Sequence, residues 1–267
     1  MSMVTSNQNP VIKEIKALRE RKFREEKRLF FIEGIRFVEE ALNAGAGIEL
    51  IMVSERLQGI KGGKKILEKA AAWKHKVVTV SDRLFREVSD TENPQGVLAV
   101  VKMMDYSLVD VVRDNSLVLI LDSLQDPGNM GTIIRTADAA GVTGIIISKG
   151  CVDIYNPKVL RSTMGSVFHV PFCITDNLNK TVEWLKSNNI RLLAAHLDGA
   201  SNYFDLDLKG SIAFIVGNEA NGISDEIASL ADLLVKIPMP GKAESLNASV
   251  AAGLLMYEAV RQRMSVK

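Results

Sequence analysis

Five side chains able to do chemistry stand in three short stretches, each just beyond an apolar run. Residues 122–141 follow the run LVLIL at 117–121 and carry Asn129 and Arg135. Residues 215–224 close the run IAFIV at 212–216 and carry Glu219 between Gly217 and Gly222. Residues 237–251 follow the run at 233–237 and carry Ser245 and Asn247 after Gly241. Amides and a hydroxyl orient a polar ligand, a carboxylate gathers donors, and a guanidinium donates to anions. Glycines at 217 and 241 suit a ligand held by close main-chain approach. The run LVLIL shows no polar alternation, as in central parallel strands buried on both faces. Ligands of open parallel sheets bind beyond the carboxyl ends of the strands, so the three stretches imply one composite site. Asn129 and Arg135 lie about two helical turns apart, which would let them share a face at a helix start.

Taken singly, each residue also has a plain structural use. Arg135 can pair with Asp138 at i,i+3. Glu219 can be an ordinary loop carboxylate. Asn129, Ser245 or Asn247 can cap a helix.

Other chemistries find no support. No GxGxxG, GxxxxGK[ST] or GxSxG is present; the glycines at 59, 62 and 63 have the wrong spacing for a phosphate loop. His75, His169 and His196 are not spaced as metal ligands, and Cys151 and Cys173 form no CxxC, so no metal is expected. No apolar run approaches the roughly 20 residues of a membrane span. The N-terminus MSMVTSNQNP lacks a basic segment followed by an apolar one. A reduced, cytoplasmic setting fits.

The elements that must position these residues fall into two α/β groups. A length of 267 residues with 47% apolar and 24% charged residues suits two soluble domains. Periodicity places a helix over 10–28 and strands at 29–32, 48–53, 77–80 and 97–101. Helices are expected at 35–43, 64–73 and 82–88. This small α/β unit occupies residues 1–101. Residues 102–115 interrupt the rhythm and read as a linker. From 116 to 267, strands at 117–121, 144–147, 191–195, 212–216 and 233–237 alternate with helices at 130–140, 156–164, 180–187 and 247–263, as in a parallel-sheet domain. Between Lys13 and Arg28 eight Lys/Arg stand against four Glu, and Lys61, Lys64, Lys65, Lys69, Lys74 and Lys76 form a second basic cluster. A polyanion such as RNA would be drawn to both; solvated helix faces would look the same.

The three stretches, in this order, resemble the three motifs of the SpoU (TrmH-like) branch of the SPOUT RNA methyltransferases. The segment Arg161-Ser-Thr-Met-Gly165-Ser resembles one found between the first two motifs. The similarity runs over about 116–260. Phe31-Ile-Glu33-Gly34 and Val38-Glu39-Glu40-Ala41-Leu42 resemble the small ribosomal-protein-like RNA-binding domain often fused to these enzymes. The resemblance implies a deep trefoil knot in the C-terminal half and a homodimer that completes each site across its interface. It implies S-adenosylmethionine as methyl donor, contacted by Gly217, Ile237 and Leu246. The implied reaction is methylation of a ribose 2′-hydroxyl in structured RNA, without metal. Arg135 is assigned to that hydroxyl, either taking its proton or holding the adjacent phosphate and alkoxide. As a base it is a hard assignment, because a guanidinium retains its proton in almost any protein setting. Asn129 and Asn247 would orient Arg135 or the ribose, Glu219 would anchor the arginine, and Ser245 would bond the substrate.

The two-domain layout points to ribosomal RNA of the large subunit (23S), with tRNA as the alternative. A non-catalytic RNA-binding protein on the same scaffold is a further reading; it leaves the intact set Asn129, Arg135, Glu219, Ser245 and Asn247 unexplained.

Overall fold

A computed structural model of the chain describes residues 3–264. The described residues up to Met104, together with Tyr155–Phe168, form one compact unit. Asp105–Ile154 and the described residues from His169 onward form the other.

In the first unit, helices α1 (Pro10–Ala17) and α2 (Arg21–Lys27) precede strand β1 (Leu29–Glu33), helix α3 (Ile35–Asn43) and strand β2 (Ile48–Ser54). Helix α4 (Gly63–Ala72), strand β3 (Val77–Val80), helix α5 (Asp82–Val88) and strand β4 (Val97–Lys102) follow. The sheet order is β1-β4-β2-β3, with β4 antiparallel to both neighbours and β2 parallel to β3. Ile12, Ile15, Leu84, Phe85 and Val88 pack on the sheet from α1 and α5. The single helix expected over 10–28 is two, because the chain turns after Leu18. The buried Arg24 side chain makes that turn affordable: its Nη1 donates to Leu18 O at 2.8 Å and Arg19 O at 2.7 Å. Arg19 in turn donates to Val88 O at 2.9 Å and Ser89 O at 2.8 Å. Two cations of the basic run therefore satisfy backbone carbonyls. In the second cluster Lys65 and Lys69 are bonded to Glu39, at 2.6 and 3.1 Å, and hold its carboxyl below the usual range.

The sequence division assigns residues 155–168 to the C-terminal domain, yet they pack in the first unit. Helix α8 (Pro157–Thr163) lies within this segment. The Tyr155 ring is 4.7 Å from that of Phe30, and the Phe168 ring is 5.7 Å from that of Phe37. Tyr155 Oη accepts from Met104 N at 3.0 Å, and Arg161 pairs with Asp90. Periodicity reports that a residue is buried, not which body buries it.

The second unit begins with helix α6 (Leu108–Val111) inside the expected linker. Strand β5 (Leu117–Leu121), helix α7 (Pro127–Ala139), strand β6 (Gly144–Ser148), strand β7 (Phe172–Thr175), helix α9 (Leu178–Ser187) and strand β8 (Arg191–Ala195) follow. The remainder is β9 (Ser201–Asn202), β10 (Ile212–Val216), α10 (Asp225–Leu230), β11 (Leu233–Lys236) and α11 (Ala248–Met264). All seven strands are parallel, in the order β7-β6-β5-β10-β8-β11-β9. The short β7, β9 and α10 carry too few residues to show a period, and the sequence reading passes over them. Val216 pairs with Leu121, Ile215 with Ala194 and Val235 with Ala195, so the carboxyl ends of four central strands come level. Helices α7 and α11 pack together. Arg263 ties the far end of α11 down by donating to the carbonyls of Leu208, Asn115, Ser116 and Gly210. Among the described residues no helix is long and apolar enough to cross a membrane.

Because Tyr155 fills the Phe30 side of the first unit's core, Tyr155→Ala is expected to lower that unit's stability by about 3 kcal/mol. Urea unfolding followed by circular dichroism checks this; an unchanged curve would mean the segment only rests on the unit.

Candidate active site

The carboxyl ends of β8, β10 and β11 open into a cavity of about 440 Å³, within the range of roughly 300–1,000 Å³ for ligand pockets. Val216, Val235, Ile237, Met239, Leu246, Ala248 and Ala251 give it an apolar wall. Asp198, Glu219 and Glu244 line it as well, with no lysine or arginine among the lining residues. Gly217, Ile237, Leu246, Glu219 and Ser245 all border this cavity. A cavity that is apolar on one side and lined only by acidic charges suits a cationic ligand with an apolar body. Among the described residues no group of three or more His, Cys, Asp or Glu is placed to hold a metal ion.

Beside the cavity a polar chain joins all three stretches. Asp126 begins α7 by accepting from Asn129 N at 2.7 Å, and Pro127 fills the first helical position. The helix thus starts three residues earlier than its apolar period suggests, and Asp126 rather than Asn129 caps it. Asn129 is left free to bridge. Its Nδ2 donates to Glu219 Oε1 at 2.9 Å, and its Oδ1 accepts from Asn247 Nδ2 at 2.9 Å. Asn247 Oδ1 accepts from Ser249 N at 2.9 Å and Val250 N at 3.4 Å, capping α11. Glu219 also accepts from Gln125 N and Asp126 N, each at 3.3 Å. Burial pushes the Glu219 carboxyl up. Bonds from Asn129 Nδ2 and from the N–H groups of Glu219, Gln125 and Asp126 outweigh burial and hold it below the usual carboxylate range.

Arg135 stands apart. Six residues on a helix turn the side chain about 120° away from Asn129 and about 9 Å along the axis, so the two do not share a face. Arg135 is exposed and makes no ion pair or hydrogen bond with any described residue. Glu219 anchors Asn129 and two backbone amides instead of the arginine, and Asp138 pairs with His169 at 3.0 Å instead of with Arg135. Ser245 is exposed at the cavity rim. The sequence reading missed the amides of Gln125 and Asp126, because backbone groups carry no residue signature. It also missed Asn218, whose Oδ1 accepts from Ala220 N at 2.8 Å and Asn221 N at 3.2 Å. An Asn four residues before Gly222 is the available signal for such a side-chain-stabilised turn.

Residues 116–257 match the family model described as SpoU rRNA Methylase family, and residues 9–99 match the MRM3-like substrate binding domain. The chain belongs to the SpoU rRNA methylase family. It is 35% identical over 257 residues to the Bacillus subtilis (strain 168) 23S rRNA (guanosine(2553)-2'-O)-methyltransferase RlmP, covering 96% of this chain and 98% of that one. Among solved structures, the AdoMet-bound rRNA methyltransferase from Sinorhizobium meliloti is 34% identical, with TM-score 0.87 and 97% of each chain covered. The SpoU methyltransferase AviRb from Streptomyces viridochromogenes, in complex with the cofactor AdoMet, is 31% identical with TM-score 0.89; the match covers 97% of this chain and 100% of that one.

In this SpoU chain Asn129→Ala removes the main bond that opposes burial of Glu219. The carboxyl is then expected to titrate at a higher pH, followed by its carbon NMR shift; an unmoved midpoint would mean Asn129 does not hold it. Since the native group is depressed, its stabilising contribution is present above the unfolded value and lost as pH falls through the folded one. The wild-type site therefore persists to lower pH than the variant's.

Proposed function

We propose that this SpoU protein methylates a ribose 2′-hydroxyl of large-subunit (23S) ribosomal RNA, with S-adenosylmethionine as donor. The observation that carries the reading is the Glu219–Asn129–Asn247 chain beside an acid-lined cavity that Gly217, Ile237 and Leu246 all border. When bound, the donor supplies a methyl made electrophilic by its sulfonium. Gly217, Ile237 and Leu246 hold it by main-chain and apolar contact. Asn129 and Asn247 present a fixed amide pair that orients the ribose, and the Ser245 hydroxyl bonds the substrate. Ribosomal RNA is favoured over tRNA by the substrate-binding domain over residues 9–99 and by the full-length likeness to a 23S rRNA enzyme. Exposed cations without an ion pair among the described residues, Arg36, Lys61, Lys64, Lys74 and Lys76, give the first unit its grip on phosphate. Such a substrate places the protein in the cytoplasm.

The working form is a homodimer. Val250, Leu254 and Tyr257 expose 50%, 38% and 48% of their surface on one face of α11, where a second copy would cover them. Arg135, turned away from its own Asn129, then serves the other copy's site, where it holds the phosphate and the developing alkoxide while the hydroxyl proton passes to water; the donor's C–S bond breaks as the O–CH3 bond forms, and the donor leaves as a neutral thioether. The trefoil knot of the C-terminal half is carried over from the SpoU family, and the strand order, with β10 between β5 and β8, is compatible with it.

Tritium transfer from labelled donor onto ribosomal and transfer RNA tests the reading, with ribosomal RNA expected to carry the label. Arg135→Ala is expected to cut the rate by about a hundredfold or more while leaving donor binding intact. Mixed dimers of R135A and N247A are expected to regain activity, since one site then keeps both an intact Asn247 and an arginine from across the interface. Inactive mixtures would place Arg135 in its own chain's site.

A further inference from the structure

Ser123, two residues after β5, has φ +58°, a left-handed backbone that a side chain disfavours. Glycine is the residue that adopts it freely, and the chain does not use one here. The conformation is clamped from several directions. Ser123 N donates to Ser148 Oγ at 2.9 Å, and Ser123 Oγ donates to Asp122 Oδ1 at 3.1 Å. Ser123 O accepts from Asn218 Nδ2 at 2.9 Å and from Gln125 Nε2 at 3.2 Å. After the turn at Ser123, Leu124 N donates to Cys151 Sγ at 3.3 Å, and the two amides that follow it, Gln125 N and Asp126 N, meet the Glu219 carboxylate.

Asn218 acts on both sides of this contact. Its Nδ2 holds the first loop through Ser123 O, while its Oδ1 gathers Ala220 N and Asn221 N and shapes the loop that carries Glu219. Backbone bonds between Asn218 and Gly222, at 2.8 and 2.9 Å, close that loop. The loop is too tight for a substituent at its start: a Cβ on Gly217 would lie 2.1 Å from Gly222 C. One side chain thus sets the register between the carboxylate and the amides that receive it.

We propose that Asn218 is a positioning residue of the methyl-transfer site: by holding Ser123 in its left-handed conformation it locks Gln125 and Asp126 onto Glu219, and through Glu219 fixes Asn129. The inference rests on the methyl-transfer reading for its kinetic consequence, but not for the clamp itself.

The test is a double-mutant cycle of Asn218→Asp and Ser123→Gly. N218D keeps the acceptor for Ala220 and Asn221 and loses the donor to Ser123 O. In the otherwise native chain it is expected to lower kcat at saturating donor and RNA by about tenfold or more, since misplacement by about 1 Å can cost about a hundredfold. Glycine adopts φ +58° without a clamp, so in the S123G background N218D is expected to cost less than about threefold. Hydrogen–deuterium exchange at Gln125 and Asp126 gives a readout independent of activity: N218D should speed it, and S123G should reduce that effect. Equal kcat losses in both backgrounds, native kcat for N218D, or unchanged exchange would each overturn the proposal. Absence of transfer by the wild-type chain would sink the functional reading alone, with the exchange cycle still deciding the clamp.

Discussion

The carboxylate of Glu219 is the junction on which the site depends. It accepts from two backbone amides and one side-chain amide of the first stretch while its own backbone belongs to the loop after β10. The third stretch is joined one step further on, through Asn247 to Asn129. Without this carboxylate the start of α7 would present amide donors with no acceptor, and Asn129 would lose the bond that selects its rotamer. Burial alone would favour the protonated acid, which accepts fewer bonds. The convergent donors reverse that preference and keep the junction ionised.

Such a junction needs its parts delivered to the same level, and the sheet does this. Val216 pairs with Leu121, so the chain leaves β5 and β10 side by side, and Asp122 N still donates to Val216 O at 2.9 Å beyond the strands. Asp122 then accepts from Ser224 N and Oγ, at 3.3 and 3.4 Å, which fastens the far end of the Glu219 loop. On the other side Asn247 is at once the cap of α11 and the partner of Asn129. Arg263 anchors the opposite end of that helix through four carbonyls, so Asn247 projects from an element held at both ends.

Much of this was legible in the residues. Unbroken apolar runs such as LVLIL have one comfortable place, a central parallel strand, and the small and polar residues after them can only sit at strand ends. What could not be read depends on angles and partners rather than types. The spacing of Asn129 and Arg135 looked like a shared face, but helical geometry turns them apart. The left-handed turn falls on Ser123, a residue with no such signature, in a chain that places this conformation on glycines such as Gly62 and Gly222 but also on Arg28 and Met164. Residues 155–168 carry ordinary apolar periodicity, yet Tyr155 and Phe168 find their ring partners in the first unit. Charge counts overstated the basic surface as well, since Arg19 and Arg24 are spent on carbonyls and Lys65 and Lys69 on Glu39.

The position of Arg135 follows a physical logic that the residue list alone obscures. An arginine paired with Glu219 in the same chain would satisfy both groups and cancel one of three acidic charges around the cavity. The remaining field would attract a cationic donor less strongly. On the proposed reading it would also commit the guanidinium before any phosphate arrived, and a charge already paired gains little by exchanging partners. By bonding Glu219 to neutral amides instead, the chain keeps the cavity anionic and leaves Arg135 uncommitted on another face of α7. On the proposed reading, a site that accepts a cationic donor and a polyanion is served by a chain that meets its own acidic cavity with neutral amides and presents its arginine elsewhere. Neutral asparagines are the bridging groups that permit this, because each donates and accepts without adding charge of its own.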